Sequence, residues 1–349
     1  MIRSRYLLQE ITSSQRTLWD TFLYEHPYGH LLQSWRWGEL KQYTGWQPVR
    51  LALWDQDEQR IVAGAQVLRY APPHIPLRLG HLAYVPKGPV LDWTHPELCD
   101  TFFTQLHRWL RVHGALALRV EPPVEAGTPE GKLVHTCLNT SSAHSIHPMQ
   151  PLRTIVVDLQ ADDTELRARL KDKTRYNIGL AARRGVTIRA AQTLDDVRNW
   201  YRLLHVTGKR DQFGIHAQEY YLRAWELLRE QEYARLFLAE HEGELLAGIF
   251  VSAFAHEGIY LYGASSNERR NLMPNYLLQW EAMLWARSQG ARHYDLWGIP
   301  DTDDTGEAMA GVYRFKRGWG GRVVQFTGCY EYVYHPLAMH LAQHFILTG

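Results

Sequence analysis

Three cations lie among four glycines between Gly311 and Gly321, in the run Gly-Val-Tyr-Arg-Phe-Lys-Arg-Gly-Trp-Gly-Gly. Val312 and Phe315 are three residues apart, so the spacing predicts a short helix that buries both on one face. The glycines that follow predict its end, because glycine adopts left-handed backbone angles at little cost. Cations also suit the negative end of a helix dipole. The pattern predicts a basic corner for an anionic substrate or a developing oxyanion, with a capped, solvated helix end as the alternative.

A second group of cations follows a capping-box pattern at residues 162–165, which predicts a helix that runs to about residue 184. Positions 167, 171 and 175 form one line at a spacing of four residues, where like charges repel and destabilise an isolated helix. We expect a surface that binds a polyanion, with a solvated helix face as the alternative. The cations of this helix are Arg167, Arg169, Lys171, Lys173, Arg175, Arg183 and Arg184.

Two further charged residues occupy positions where chemistry is possible. Lys41 falls in the last turn of a helix that Ser34 can cap, with Trp37 on its core-facing side. Glu121 follows the buried strand at 115–120, and ligands of open α/β sheets commonly gather at the carboxyl ends of strands. A surface lysine and a packing carboxylate are the corresponding alternatives.

Composition limits the class of protein. A chain of 349 residues indicates two domains, and a net charge of +1 means that any basic function is local. We find no apolar run long enough to span a membrane and no signal-peptide core at the start. The three cysteines are far apart, as in a cytoplasmic protein with reduced thiols, and the 18 histidines form no metal-binding motif. We expect neither a metal nor a cofactor.

The chain repeats itself over half its length. Arg50–Trp54 is similar to Arg235–Ala239, an acidic turn follows each, and Val62–Ala65 then matches Leu246–Ile249. Such a repeat predicts two copies of one α/β unit. The order of a helix, a three-stranded meander, a helix and a strand resembles the acyltransferase fold of the GNAT superfamily. The predicted fold class is therefore α/β, with two tandem GNAT-like domains and mixed sheets.

Enzymes of that superfamily that use acyl-coenzyme A carry a glycine-rich turn whose N–H groups bind the pyrophosphate. The equivalent place in the second half holds Arg270-Asn-Leu-Met-Pro-Asn275, where Pro274 removes one donor, and the first half holds Lys87-Gly-Pro. Neither loop can cradle coenzyme A as that motif does. The fold thus suggests acyl transfer, while these loops argue against the usual donor.

A doubled GNAT unit without a coenzyme A turn resembles the FemABX family, whose members are aminoacyl-tRNA-dependent peptidyltransferases that build the interpeptide bridge of peptidoglycan. The resemblance covers nearly the whole chain. Because the chain has no insertion of heptads, it resembles the members that lack a coiled-coil arm. It implies a precursor-binding domain at residues 1–150 with 328–349, and an aminoacyl-tRNA domain at 151–327. The motifs that carry it are Gln33-Ser-Trp-x-Trp-Gly-x-x-Lys41, Lys171-x-Lys-x-Arg-Tyr-Asn-Ile178, Tyr262-Gly-Ala-Ser-Ser-Asn267 with Tyr276-Leu-Leu-Gln-Trp280, and Tyr313-x-Phe-Lys-x-Gly-x-Gly320.

The same resemblance implies roles for individual residues. Lys316 would stabilise the tetrahedral oxyanion beside the aminoacyl ester, and Glu121 would stand near the reacting amine. The residues implied in precursor binding are Lys41, at the diphosphate, with Trp37, Tyr220, Tyr262, His216 and Arg210. His216 stands where the family often has an arginine, and Arg210 is nearby in sequence. The residues implied at the tRNA are Arg167, Lys171, Lys173, Arg175 and Arg317.

The implied partners are aminoacyl-tRNA and either UDP-MurNAc-pentapeptide or lipid II, with a peripheral contact at the inner face of the membrane and a monomeric enzyme. Two other functions stay open at this point. One is an N-acyltransferase that uses acyl-coenzyme A, which coenzyme A binding would reveal. The other is a binding module for RNA or envelope precursors that has lost catalysis, which a turnover assay would reveal.

Overall fold

The computed structural model describes residues 5–72, 74–140, 144–300 and 310–346. The chain divides into two units, of which the first comprises Met1–Leu152 with Gln325–Gly349 and the second Arg153–Val324. Within the described ranges, no helix is both long enough and apolar enough to cross a membrane.

In the described residues, the first unit begins with seven strands and four helices. The strands are β1 (Tyr6–Glu10), β2 (Gln47–Asp55), β3 (Arg60–Tyr70), β4 (His81–Val85), β5 (Val90–Leu91), β6 (Ala115–Val120) and β7 (His144–Ile146). The helices are α1 (Arg16–Glu25), α2 (Trp35–Gln42), α3 (Pro96–Val112) and α4 (Pro129–Thr140).

The second unit contains seven strands and six helices within the described residues. The strands are β8 (Arg153–Asp158), β9 (Thr187–Ala190), β10 (Ala234–His241), β11 (Glu244–Phe254), β12 (Glu257–Ser265), β13 (His293–Gly298) and β14 (Arg322–Gln325). The helices are α5 (Asp163–Arg169), α6 (Asp172–Arg183), α7 (Leu194–Asp211), α8 (Gln218–Arg229), α9 (Pro274–Ser288) and α10 (Ala310–Lys316). The chain then returns to the first unit as β15 (Cys329–Val333) and α11 (Pro336–Ile346).

Each unit is built on one mixed sheet. The first has the strand order β1-β2-β3-β4-β6-β15-β7, with β5 paired to β3, and its parallel pair is β4 with β6. The second has the order β14-β8-β13-β12-β11-β10-β9, and its parallel pair is β12 with β13. In both sheets the parallel pair follows a three-stranded antiparallel meander, β2-β3-β4 in one and β10-β11-β12 in the other.

Two glycines at matching places in the meanders explain why the Ala-Gly pairs recur in the sequence. Gly64 lies opposite Ala52, and a Cβ there would come within 2.8 Å of the ring of Trp19 on α1. Gly248 lies opposite Leu238, and a Cβ there would come within 2.5 Å of the ring of Trp200 on α7. A real Cβ does not approach another heavy atom that closely. In each unit, therefore, a glycine lets a buried tryptophan lie directly on the sheet.

The apolar cores follow the same plan. In the first unit, α3 packs on the strands through Phe102, Leu106 and Leu110, all fully buried. In the second unit, α9 supplies Leu278, Trp280, Met283 and Ala286 to the corresponding core. Burial of a large apolar side chain contributes roughly 1.5–3 kcal/mol relative to exposure, so these helices are the main anchors of the two sheets.

Candidate active site

The most enclosed cation of the second unit is Lys316, at the end of α10. It is 5% exposed, and its ammonium donates to the carbonyl oxygens of Gly298 at 2.7 Å and Trp297 at 3.3 Å. It also lies 5.7 Å from the centre of the Tyr260 ring. Burial lowers the pKa of Lys316 to about 8, and the nearby charge of Asp295 opposes that shift. Lys316 is thus a preorganised cation that remains charged at neutral pH.

The carbonyl groups that hold Lys316 belong to an irregular end of β13. Trp297 has a φ of 62°, in the left-handed region that few residues other than glycine adopt, and the pairing of β13 with β8 shifts register there. The Asp295 carboxylate accepts the N–H of Trp297 at 2.7 Å. The Thr154 hydroxyl lies within hydrogen-bonding distance of that carboxylate and 2.9 Å from the Trp297 carbonyl oxygen. Both side chains are buried, so they fix the strained backbone that orients Lys316.

Sequence reasoning did not single out Thr154, Asp295 or Tyr260. The available signal was the position of Asp295 within a run that otherwise reads as a buried strand, because carboxylates are seldom fully buried without a defined partner. The partner, Thr154, lies on a different strand and could not be found from local spacing.

The glycines after Lys316 end the helix and also allow close packing. Gly320 has a φ of 75° and follows the turn that ends the helix, so the predicted helix end is confirmed. A Cβ on Gly318 would meet Thr174 at 2.4 Å, and a Cβ on Gly321 would meet Ile155 at 2.6 Å. These positions therefore allow close packing against α6 and β8.

Three of the predicted precursor-binding residues come together in the second unit. The hydroxyl oxygens of Tyr220 on α8 and Tyr262 on β12 are 3.2 Å apart, and the His216 ring centre lies 4.1 Å from that of Tyr220. Burial raises the pKa of both phenols, with each affecting the other, so both remain neutral hydrogen-bond donors at physiological pH. His216 is exposed. The group is suited to binding a polar ligand through neutral donors.

Arg210, near the end of α7, is engaged within its own unit. Its guanidinium pairs with Asp211 at 2.8 and 2.9 Å and donates to Asn267 at 2.9 Å and to the Ser265 carbonyl at 3.2 Å. The Asp211 carboxylate raises the pKa of Arg210. To contact a phosphate group, Arg210 would have to give up some of these hydrogen bonds. Its predicted role stays a prediction.

Lys41 and Trp37 lie together on α2 of the first unit. Ser34 caps the helix by accepting the N–H of Trp37 at 3.2 Å, as the sequence predicts. The Lys41 ammonium lies 4.9 Å from the centre of the Trp37 ring. Burial lowers the pKa of Lys41 to about 8. The indole therefore fixes the position of a partly desolvated ammonium, which is suited to a single anionic ligand.

Glu121 is buried at the end of β6 and is surrounded by donors. Its carboxylate accepts the Tyr84 hydroxyl at 2.5 Å, the backbone N–H of Gln150 at 3.2 Å and that of Met149. Burial and this carboxylate raise the pKa of Tyr84. Glu121 thus ties residues 149–150 to the sheet, and a substrate amine would have to displace one of these donors to reach it. This environment favours the packing alternative, and the catalytic role remains a prediction.

The predicted single helix at residues 162–184 is wrong, because the chain forms α5 and α6 with a break at Leu170 and Lys171. Arg175 caps the end of α5, because its guanidinium reaches back to the carbonyl oxygens there, at 2.9 Å from Ala168 and 2.6 Å from Leu170. Arg167 lies on the other helix, 4.7 Å from the Trp280 ring centre. The line of repelling charges that the sequence suggested therefore does not exist.

The remaining cations of the predicted tRNA surface lie at the start of α6 and directly after Lys316. Lys171, Lys173 and Arg317 are exposed. The backbone N–H of Lys171 donates to the carbonyl oxygen of Gly318 at 3.0 Å, which joins the start of α6 to the turn at Arg317–Trp319. The structure thus places these cations around one short connection and assigns Arg175 to capping α5.

The predicted residues separate by unit. Lys41, Trp37 and Glu121 lie in the first unit, and the other ten lie in the second. No grouping of three or more metal-ligating side chains occurs in the parts of the chain that the structure describes.

Comparison with known proteins gives consistent results. The model of the FemAB family matches residues 15–140, 133–242 and 225–345. Among curated proteins, lipid II:glycine glycyltransferase from Staphylococcus saprophyticus is 25% identical over 381 residues, covering 90% of each chain. The protein of the same name from Staphylococcus aureus is 25% identical over 386 residues, again covering 90% of each.

Two solved structures have a fold similar to that of this chain. The crystal structure of FemX has a TM-score of 0.86 at 23% identity and covers 96% of this chain and 99% of that chain. A tandem GNAT protein from the clavulanic acid biosynthesis pathway has a TM-score of 0.52 at 13% identity and covers 94% and 98%. The predicted fold class, α/β with two tandem GNAT-like domains, is confirmed.

Proposed function

The chain belongs to the FemAB family, and on that premise we propose that it transfers an amino acid from aminoacyl-tRNA to an amine on the stem peptide of a peptidoglycan precursor. Its curated relatives are named as transferases of glycine to lipid II, which supports a transferase of peptidoglycan bridge formation. The tRNA donor and the identity of the acceptor belong to the proposal.

The observation that carries the proposal is the setting of Lys316. The acceptor amine attacks the ester carbonyl and loses a proton, a tetrahedral oxyanion forms, and the carbon–oxygen bond breaks as the tRNA hydroxyl leaves with that proton. An aminoacyl ester is already activated, so this reaction needs no covalent intermediate with the enzyme. An ammonium has three N–H groups, and two of those of Lys316 meet the carbonyls of Trp297 and Gly298. We assign the third to the oxyanion, where its interaction strengthens as negative charge develops.

For the acceptor, we propose that Lys41 binds the diphosphate, because its ammonium is fixed by Trp37 and partly desolvated. Tyr220 and Tyr262 donate to other polar groups of the precursor. Either UDP-MurNAc-pentapeptide or lipid II supplies the same diphosphate and stem peptide, and the names of the relatives favour lipid II.

For the donor, we propose that the exposed cations near α10 bind the phosphates at the acceptor end of a tRNA. Arg317 follows Lys316 directly, and Lys171 and Lys173 lie at the start of the helix joined to that turn. Phosphate contacts of this kind give binding that depends on salt and little on nucleotide sequence. Charged tRNA and peptidoglycan precursors are both found in the cytoplasm, so we place the reaction there, with a monomeric enzyme in peripheral contact with the inner face of the membrane.

An acyl-coenzyme A donor fits the structure less well. The place of a pyrophosphate-binding turn holds a 3₁₀ turn at Arg270–Leu272, followed by Pro274 in the first turn of α9. Proline lacks an N–H, and Met273 before it has a φ of 57°. Calorimetric titration with coenzyme A is therefore expected to show no binding.

The proposed function is tested by mass analysis of two acceptors, UDP-MurNAc-pentapeptide and lipid II, after incubation with the protein and a pool of charged tRNAs. We expect one acceptor to gain the mass of an amino acid. Treatment of the tRNA with ribonuclease beforehand should abolish that gain, and Lys316→Met should reduce it strongly. Transfer that survives ribonuclease, or transfer only from acyl-coenzyme A, would exclude the proposed donor.

A further inference from the structure

The most exposed apolar side chains of the described residues belong to three neighbouring segments of the first unit. Leu337 is 85% exposed, Val112 76%, Leu341 74% and Leu79 71%, higher than every other large apolar residue in the described part of the chain. Ile75, in the same segments, is 46% exposed. Single exposed apolar residues are ordinary, but a group of this kind on neighbouring segments indicates a binding surface.

The three segments are the loop at residues 74–80, the carboxyl end of α3 at 105–114, and α11. A Cβ on Gly114 would meet the backbone of Arg78, which shows that the loop and the end of α3 are adjacent. The chain enters α11 directly beside them, because the N–H groups of Tyr334 and His335 donate to the carbonyl oxygen of Leu116. We call these segments the apolar rim.

In the described part of α11, one residue is anchored on the sheet and two leucines are exposed. Met339 is buried against Leu82, Leu116 and Ala117 of the sheet. Leu337 and Leu341 are four residues apart, so they lie on one face of the helix, and that face is exposed. A helix that only covers a sheet would present polar residues to water on that side.

The charges of the apolar rim have one sign. Residues 74–80, 105–114 and 335–341 contain no Asp or Glu, and they contain Arg78, Arg108 and Arg111, all exposed, together with several histidines. Arg111 lies 4.9 Å from the centre of the Tyr334 ring, beside the start of α11. Exposed apolar side chains beside exposed arginines match a bilayer surface, where the acyl boundary takes the former and anionic headgroups take the latter.

We propose that the apolar rim docks on the surface of an anionic lipid bilayer, with Leu79, Val112, Leu337 and Leu341 inserted and Arg78 and Arg108 at the headgroups. The proposal extends the membrane contact given above by naming the residues that make it. It requires no transfer reaction, so it can fail or succeed independently of the proposed donor and acceptor.

The test is co-sedimentation of the full chain with vesicles, in the absence of tRNA and precursor. Vesicles that contain phosphatidylglycerol should bind the protein, while vesicles of phosphatidylcholine alone should bind it weakly. Leu337→Gln with Leu341→Gln should weaken binding by about tenfold or more, because binding scales with the buried apolar area. Arg78→Gln with Arg108→Gln should remove the preference for anionic vesicles.

The matched control is Leu18→Gln with Val206→Gln, which alters two partly exposed apolar residues elsewhere. It should bind vesicles as the parent does. Absence of parent binding, or equal binding by the leucine variant and the control, would overturn the proposal. The oligomeric state is measured in parallel by light scattering. A parent dimer that the leucine substitutions dissociate, with vesicle binding unchanged, would assign the rim to contacts between copies of the chain and would also overturn it.

Discussion

The ammonium of Lys316 lies 2.7 Å from the carbonyl oxygen of Gly298, at the end of a strand that departs from regular sheet geometry. Two carbonyl groups fix the direction of that ammonium, while burial removes it from water. A cation held in this way interacts more strongly with a developing negative charge than a mobile surface lysine does, because the site does not have to reorganise.

The first prediction concerns this cation. Lys316→Met keeps the length of the side chain and removes its charge, so it should lower kcat by about 100- to 1000-fold while the KM for the acceptor changes little. Steady-state kinetics with saturating donor measure both. Arg317→Met, one position along and exposed, is the control and should affect mainly the donor. A Lys316→Met enzyme with more than about a third of the parent kcat would remove the oxyanion role.

The second prediction follows from the pKa of Lys316, which burial lowers to about 8. The ammonium is present below that pKa and is lost above it, so kcat should fall as the pH rises through about 8. Lys316→Arg retains its charge at high pH and should move the decline to more alkaline pH, whatever its absolute rate. kcat measured across the neutral and alkaline range at saturating substrates tests this. A parent profile that keeps rising well above that pH would contradict it.

The third prediction separates acceptor binding from chemistry. Lys41→Ala removes a charge-assisted contact remote from the bond that forms, so it should raise the KM for the acceptor far more than it lowers kcat. Lys132→Ala, an exposed lysine on α4 of the same unit, is the matched control. If Lys41→Ala and Lys132→Ala have the same KM as the parent, Lys41 does not bind the acceptor.

The fourth prediction distinguishes cations proposed to bind RNA from one that caps a helix. Lys171→Glu with Lys173→Glu should weaken tRNA binding and flatten its dependence on salt, without loss of stability. Arg175→Ala should instead lower the free energy of unfolding by about 1 kcal/mol, because the carbonyls at the end of α5 lose their donor. Filter binding over a salt series and denaturant unfolding measure the two effects. If parent and double variant had equal salt slopes, these lysines would be solvated surface residues that do not contact RNA.

The fifth prediction tests Thr154 as a positioning residue. Thr154→Val removes the hydroxyl that lies 2.9 Å from the Trp297 carbonyl, so kcat should fall about tenfold as the Lys316 ammonium loses its orientation. Thr154→Ser keeps the hydroxyl and should restore most of the rate. Loss of stability alone would lower the amount of active enzyme equally at every pH. A changed position of the alkaline decline in the valine variant is therefore the diagnostic result.

Much of the fold could be predicted from sequence because its determinants are local or repeated. The Ala-Gly pairs in the two halves reflect one packing requirement, that of Trp19 on Gly64 and of Trp200 on Gly248. The helix that ends after Lys316 follows from adjacent glycines. Features of this kind produce sequence patterns that can be recognised without the structure.

The remaining features depend on groups that are distant in sequence or that act against the local pattern. Thr154 and Asp295 are 141 residues apart and meet only because β8 pairs with β13. The break between α5 and α6 contains neither glycine nor proline, and the Arg175 guanidinium that caps the end of α5 comes from the following helix. For Glu121, position at a strand end was visible, but its donors at Met149 and Gln150 were not.

The hydrogen bond from Lys171 to Gly318 has a consequence for the coupling between RNA binding and the charge of Lys316. The start of α6 and the turn after Lys316 are in contact through this bond and through the close approach of Gly318 to Thr174, so a displacement of one affects the other. Under the proposed function, an RNA bound at α6 would therefore be coupled to the Lys316 ammonium through this turn. By thermodynamic reciprocity, loss of the Lys316 proton would change the affinity for RNA by the same factor by which RNA binding changes the affinity of Lys316 for that proton.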